Sequence, residues 1–367
     1  MQTRILVGLS IAVLLVGAAI LGGCGGTTHQ TLEADGATFV GRATCAVCHS
    51  DIDALYTTTA HGEDFGDPAG NNSGLDFIRG FGGRCQPCHT VGFDEPSGFN
   101  PDGSTPHLES IGCEECHGPG SKHVEDPSGS SMKVAAVNRD EESGTKFMHI
   151  PIDQRTCWDC HVPDYKILTE GNTSITDASL LDTAPGRITV HHPQAVFLLG
   201  EYGYEHPPDP GPHALVDNTC VTCHLNEEQS STPLATKNAE EATHGGDALE
   251  PDLTTCAQCH ESEAEALEDF EELEEEINDL LIELGGEDPS EPGEPDESGS
   301  GGLLNAYAVA NSIDLDNNSD PNNPVVQRYK GARHNWAFVL HDGSHGAHNP
   351  YFALDVLHEA EDLLTGP

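Results

Sequence analysis

The chain has 367 residues, with 62 Asp and Glu against 15 Lys and Arg and a formal net charge of -47, which excludes a nucleic-acid binder because that role needs the opposite sign. Aromatics are only 5% and Gly is raised to 40 residues, so side chains alone give little to fill a large apolar core. Thirteen Cys and 21 His, the latter more numerous than Lys and Arg together, point to an interior organised around something other than side chains.

Residues 1–23 read as an export signal. Arg4 supplies the positive start, Ile5 to Ile20 the apolar run, and small residues follow. The run is broken by Gly8, Ser10 and Gly17 and sits at the short limit of the roughly 17 to 25 residues a spanning helix needs. It ends in Leu21-Gly22-Gly23-Cys24, which resembles the lipobox of bacterial lipoproteins. That resemblance implies lipidation of Cys24, a tether over residues 24–38, and a chain held on a membrane surface without spanning it. Gly25, where retention at the inner membrane usually involves Asp, implies the outer membrane.

The other twelve cysteines all fall in Cys-x-x-Cys-His, at Cys45, Cys48 and His49; Cys85, Cys88 and His89; Cys113, Cys116 and His117; Cys157, Cys160 and His161; Cys220, Cys223 and His224; and Cys256, Cys259 and His260. Two thiols three positions apart reach the two vinyl groups of one porphyrin, and the adjacent imidazole becomes the proximal iron ligand. Six c-type haems are therefore expected over residues 39–260. Structural zinc does not require a His after every second Cys, a disulfide framework gives no reason for that His, and thioredoxin-like pairs occur once per βαβ unit. First cysteines are 40, 28, 44, 63 and 36 residues apart, so no solenoid repeat is present.

A filled sixth iron position carries electrons, whereas an open one binds substrate. Fifteen histidines remain after the six proximal ones, and only Met132 and Met148 lie beyond the signal, so bis-histidine ligation and low potentials are expected. The candidates for distal ligands are His61, His123, His192, His213, His244 and His348, with His107, His191 and His334 as substitutes. His123 follows His117 through a tight Gly118-Pro119-Gly120 turn. Adjacent His191 and His192 cannot both face one iron, and Pro193 favours His192.

Between the fourth and fifth motifs, Ile188-Thr189-Val190 and Ala195 to Leu199 each read as a short strand or a buried helical turn. Past the last motif, Phe270, Leu273, Ile277, Leu280 and Leu284 recur at helical steps. Ser262 and Glu265 form a capping box and Gly285-Gly286 the stop, giving an acidic amphipathic helix over 261–286 that packs on the haem core. Residues 287–302, rich in Pro, Gly, Ser and acids, are expected to be a disordered linker. Asp314, Asp316, Asn318 and Asp320 alternate like a calcium loop, but Ser319 and Val325 stand where Gly and Glu belong, so no calcium is expected. Residues 303–367 regain apolar weight and should pack back on the haem core, setting His348 over an iron.

Phe39-Val40-Gly41 with Thr59-Ala60-His61, Gly83-Arg84-Cys85 with Thr90-Val91-Gly92-Phe93, and above all Gly112-Cys113-Glu114-Glu115-Cys116-His117-Gly118-Pro119-Gly120-Ser121-Lys122-His123 resemble the multihaem cytochromes c related to the tetrahaem cytochrome of ammonia oxidisers and to hydroxylamine oxidoreductase. His334-Asn335-Trp336 and Asp342 to Pro350 resemble the tails of related bacterial multihaem cytochromes. The resemblance implies a mainly α fold with extensive irregular loops, wrapped around covalently bound haems, with His123 and His348 as distal ligands. The expected role is electron transfer, to or from redox partner proteins such as basic cytochromes or an outer-membrane conduit. An oxidoreductase acting on a nitrogen or sulfur oxyanion needs an iron without a sixth protein ligand, and a filament subunit fits poorly with a lipid anchor. Acids spread along the whole chain suit life at high salt as well as docking of basic partners.

Overall fold

The computed structural model describes residues 36–63, 85–127, 154–162, 174–176, 190–225, 253–313 and 322–366, with the single residues 178, 181, 249, 251 and 320. The export signal, Cys24, His244 and most of the calcium-like loop lie outside them. Among the described residues the regular structure is helical, and the only β features are two isolated bridges, Ile175 to Tyr204 and Glu287 to Pro295.

Each Cys-x-x-Cys-His string makes one helical turn. The His N–H bonds the carbonyl of the first Cys at 3.0 Å in the first motif, 3.1 Å in the second, and 2.9 Å in the fourth and sixth. The third and fifth lie in the helices Cys113–His117 and Thr219–His224. Side chains at i, i+3 and i+4 of a helix share a face, so this turn aims both thiols and the imidazole the same way. Few side chains pack around the first three motifs. Their buried cluster consists of Phe39, Val91, Phe99 and Leu108, with Phe93 against it.

The larger core lies elsewhere. The helices Glu263–Gly285, Gly302–Ala310, Pro324–Asp342 and Pro350–Thr365 pack on one another and on the helix Gln194–Leu198. Ala195, Val196, Phe197 and Leu198 are buried there, so this segment is a helical turn and not a strand. The acidic helix starts where Ser262 Oγ accepts the Glu265 N–H at 3.2 Å and stops at Gly286. Its stripe of Ile277, Leu281 and Leu284 joins Trp336, Phe338, Phe352 and Leu357 in one cluster with Phe197 and Tyr204. The stripe is thus covered mainly by the C-terminal helices, which carry the contact through to the segment between the fourth and fifth motifs.

Residues 287–302 differ from the expected disordered linker. Asp296 N–H bonds Gly286 O and Gly301 N–H bonds Gly285 O, both at 2.8 Å. The Asp296 carboxylate accepts from the Ser298 N–H at 2.9 Å and from the Ser298 and Ser300 hydroxyls. The composition lacks apolar side chains to bury, but its acids and serines satisfy one another in a run of Asx turns. Gly299, at φ 59°, also closes on Trp336: a Cβ there would lie 2.7 Å from the indole.

Candidate haem sites

The motif histidines lie opposite other imidazoles. Ring centroids are 6.1 Å apart for His49 and His123, 5.8 Å for His161 and His61, 6.1 Å for His224 and His348, and 6.4 Å for His260 and His213. His89 has two such neighbours, His191 at 6.0 Å and His192 at 5.8 Å. Two metal–imidazole bonds of about 2 Å each, with the part of each ring behind its nitrogen, put opposed centroids roughly 6 Å apart across one ion. The residues present therefore fit irons held between paired imidazoles. His123 adds to that fit, because its Nδ1 is buried with no hydrogen-bond partner in the ring that faces His49. Among the described residues no ring stacks on His117.

Several rings are oriented through Nδ1, which leaves Nε2 for a metal. His161 Nδ1–H donates to Gln194 Oε1 at 2.9 Å, His213 to the Ala347 carbonyl at 2.6 Å, His224 to the Leu249 carbonyl at 2.8 Å, and His348 to Asp342 Oδ1 at 2.8 Å. Burial, followed by His191, His161 and other nearby imidazoles, pushes His192 down to about 3, so the ring is neutral near pH 7, the form that binds metal. Burial likewise lowers His117, His161 and His224.

Neighbouring His191 and His192 were not expected to face one iron together. Instead their centroids are 3.9 Å apart, and their ligand atoms converge with that of His89 within 4.8 Å. The cause is the left-handed backbone at His192, φ 51°, which folds both side chains to one side, whereas extended backbone would alternate them. His192 also lies 5.6 Å from His161. His334 behaves as a core histidine: it stacks on Phe338, and its Nε2–H donates to the Tyr202 carbonyl at 2.9 Å. His107 packs on Gly41 at the end of the first cytochrome segment.

Sequence reasoning missed three residues that hold this arrangement. Asp342 orients His348 and Gln194 orients His161, and Glu114 joins the first and third motifs by accepting from Gly41 N–H at 2.7 Å and Gly120 N–H at 2.6 Å. Their only advance signal was position. Glu114 lies inside a motif, and Asp342 opens the stretch that leads to His348.

The motifs also touch one another out of chain order. Cys45 lies beside Cys113, Cys88 beside Cys160, and Cys157 beside Cys220. The helices that carry them pack as well: Arg42–Cys45 on Cys113–His117, and Thr219–His224 on both Gln154–Trp158 and Leu253–Cys256, while Cys88 Sγ reaches the Asp159 carbonyl at 4.0 Å.

Residues 44–118 match the family described as Cytochrome c554 and c-prime, and residues 203–365 that described as Cytochrome c552. Cytochrome c-554 of Nitrosomonas europaea is 33% identical over 103 residues, covering 26% of this chain and 43% of that relative. The chain thus matches less than half the length of this curated relative. Among solved structures, outer cell wall cytochrome OcwA is 16% identical at a TM-score of 0.32, over 89% of this chain and 100% of its own. The undecahaem cytochrome from the S-layer of Carboxydothermus ferrireducens is 16% identical at 0.38, over 88% of this chain and 39% of its own. The cytochrome c nitrite reductase from Desulfovibrio desulfuricans is 16% identical at 0.39, over 71% and 56%. With six Cys-x-x-Cys-His turns and opposed imidazoles spaced for iron, the two cytochrome c matches make this chain a multihaem cytochrome c.

Proposed function

We propose that the chain transfers electrons through six c-type haems, as an exported lipoprotein held on the outer membrane through Cys24. The observation that carries this is the set of motif histidines faced by a second imidazole at 5.8 to 6.4 Å. A bound haem supplies a one-electron iron couple. The chain's own side chains do the rest. His61, His123, His213 and His348 close the sites of His161, His49, His260 and His224, and one of His191 and His192 closes that of His89. An imidazole on each side would hold the iron and keep substrates off it, which suits electron transfer. His244 keeps its place among the candidate distal ligands, with no motif assigned to it.

Packing between the motifs supports an order in which the first adjoins the third, the second the fourth, the fourth the fifth and the fifth the sixth. Electrons passing along the chain of sites would therefore not follow the sequence. The acidic surface suits basic redox partners, at the cost of a strong dependence on salt.

The pyridine haemochrome assay on the matured protein should give six haems per chain, retained on denaturation; five or fewer would sink the proposal. Electron paramagnetic resonance of the oxidised protein should be dominated by low-spin signals, and a high-spin signal integrating to one haem would favour an enzyme. Cys24→Ala should release the protein from the membrane fraction, and unchanged fractionation would refute the anchor.

A further inference from the structure

The end of the helix Pro324–Asp342 and the loop after it hold or anchor the hydrogen-bond acceptors of three of the proposed ligand histidines, and these acceptors are chemically unequal. The helix Pro324–Asp342 ends at Gly343 in the left-handed conformation, φ 68°, and the chain turns back through Ser344 to His348. The Ala347 carbonyl takes His213 Nδ1–H. Gln194 Nε2 donates to the carbonyls of His341 and Asp342 at 3.2 and 3.0 Å, which fixes its Oε1 to accept from His161. These two acceptors are neutral. The third is the Asp342 carboxylate, whose side chain is 0% exposed and which takes His348 Nδ1–H at 2.8 Å. Ser344 holds that carboxylate in place: its hydroxyl donates to the other Asp342 oxygen and accepts the His348 N–H at 3.1 Å.

We infer that Asp342 is a positioning residue that sets a redox potential, drawing the iron held between His224 and His348 to a lower potential than a neutral acceptor would give. The inference rests on the proposal that His348 is an axial ligand. A carboxylate that pulls on the Nδ1 proton makes Nε2 a stronger donor to the metal, and stronger donation favours the ferric state. Burial removes the water that would screen this effect. Because the fifth motif adjoins both the fourth and the sixth, the lowered site lies within the chain of sites and not at its end.

The test uses the haem-loaded protein and its Asp342→Asn, Ser344→Ala and His348→Ala variants, studied by spectroelectrochemical titration and electron paramagnetic resonance. Asp342→Asn keeps shape and a hydrogen-bond acceptor but removes the charge. One midpoint potential should rise, the others should stay, and every low-spin signal should persist. Ser344→Ala frees the carboxylate from a competing donor, so the same potential should fall. Opposite signs separate tuning from damage, since loosened packing would move both variants the same way. His348→Ala should convert one low-spin haem to high spin. If it does, while Asp342→Asn leaves all potentials unmoved or Ser344→Ala shifts in the same direction, the role of Asp342 is overturned and the ligand stands. If His348→Ala keeps every low-spin signal, the ligand assignment itself fails. Should Asp342→Asn load less haem, the sign of the Ser344→Ala shift decides.

Discussion

Glu114 is 2% exposed, and its hydrogen-bond partners are the N–H groups of Val40, Gly41 and Gly120. Burial pushes its carboxyl above the ordinary range, and these three donors pull it back. Glu114→Gln replaces an acceptor oxygen with an amide donor that would face N–H groups, so unfolding should become easier by about 3 kcal/mol in chemical denaturation. The turn that carries His123 should loosen with it. His334 gives a pH prediction. Burial depresses it from 6.5 to about 4 although it bonds the Tyr202 carbonyl. A histidine depressed on folding contributes stability above its unfolded value, and that stability is lost as pH falls through the folded one. The loss should span pH 6.5 to 4 and approach about 3 kcal/mol. His334→Gln keeps a donor but does not titrate, so its denaturation midpoint should depend less on pH in that window; an equally steep acid limb would count against this. At this scale the helical turn that aims two thiols and an imidazole one way was legible because it is part of a motif. His334 was not distinguishable from a ligand by sequence, since whether an imidazole meets iron or a backbone carbonyl depends on which segment packs over it.

The acidic helix was legible nearly residue for residue, because its apolar steps, its capping box and its terminal glycines all agree. What it packs against was not, since a stripe shows that a face is buried without saying by what. One partner is Trp336, whose Nε1–H donates to the Leu281 carbonyl at 3.0 Å while the indole lies against Gly285. A Cβ at Gly285 would come within 2.5 Å of that ring, so Gly285→Val should be destabilising and should alter Trp fluorescence, while Gly293→Ala, in open space, should leave that fluorescence in place. The 287–302 segment was misread for the converse reason: composition counts side chains able to fill a core, and here the ordering comes from serine and aspartate side chains bonding their own backbone.

Over the whole molecule, side-chain packing and motif density are unevenly shared. The C-terminal helices own the large apolar cluster, whereas the first three motifs have a small one. Charge acts on both. At -47 the compact form repels itself, and shortening the Debye length from about 10 Å at 0.1 M to about 3 Å at 1 M salt should raise the Tm of the haem-loaded protein by several degrees. A flat Tm over that range would mean the acids are already spaced beyond mutual reach. The fold class was legible because six identical strings report one chemistry, but the order of the motifs in space was not, because it is set by loops of unequal length. That order has a consequence for biogenesis. In the exported chain proposed above, thiols from different motifs meet as Cys45 with Cys113, Cys88 with Cys160 and Cys157 with Cys220. In an oxidising compartment such partners form disulfides, and each of these bridges would disable two attachment sites at once. Maturation is therefore a race in which thioether formation must overtake folding, and a chain allowed to fold bare should be trapped cross-linked and refractory to later loading unless a reductant is supplied.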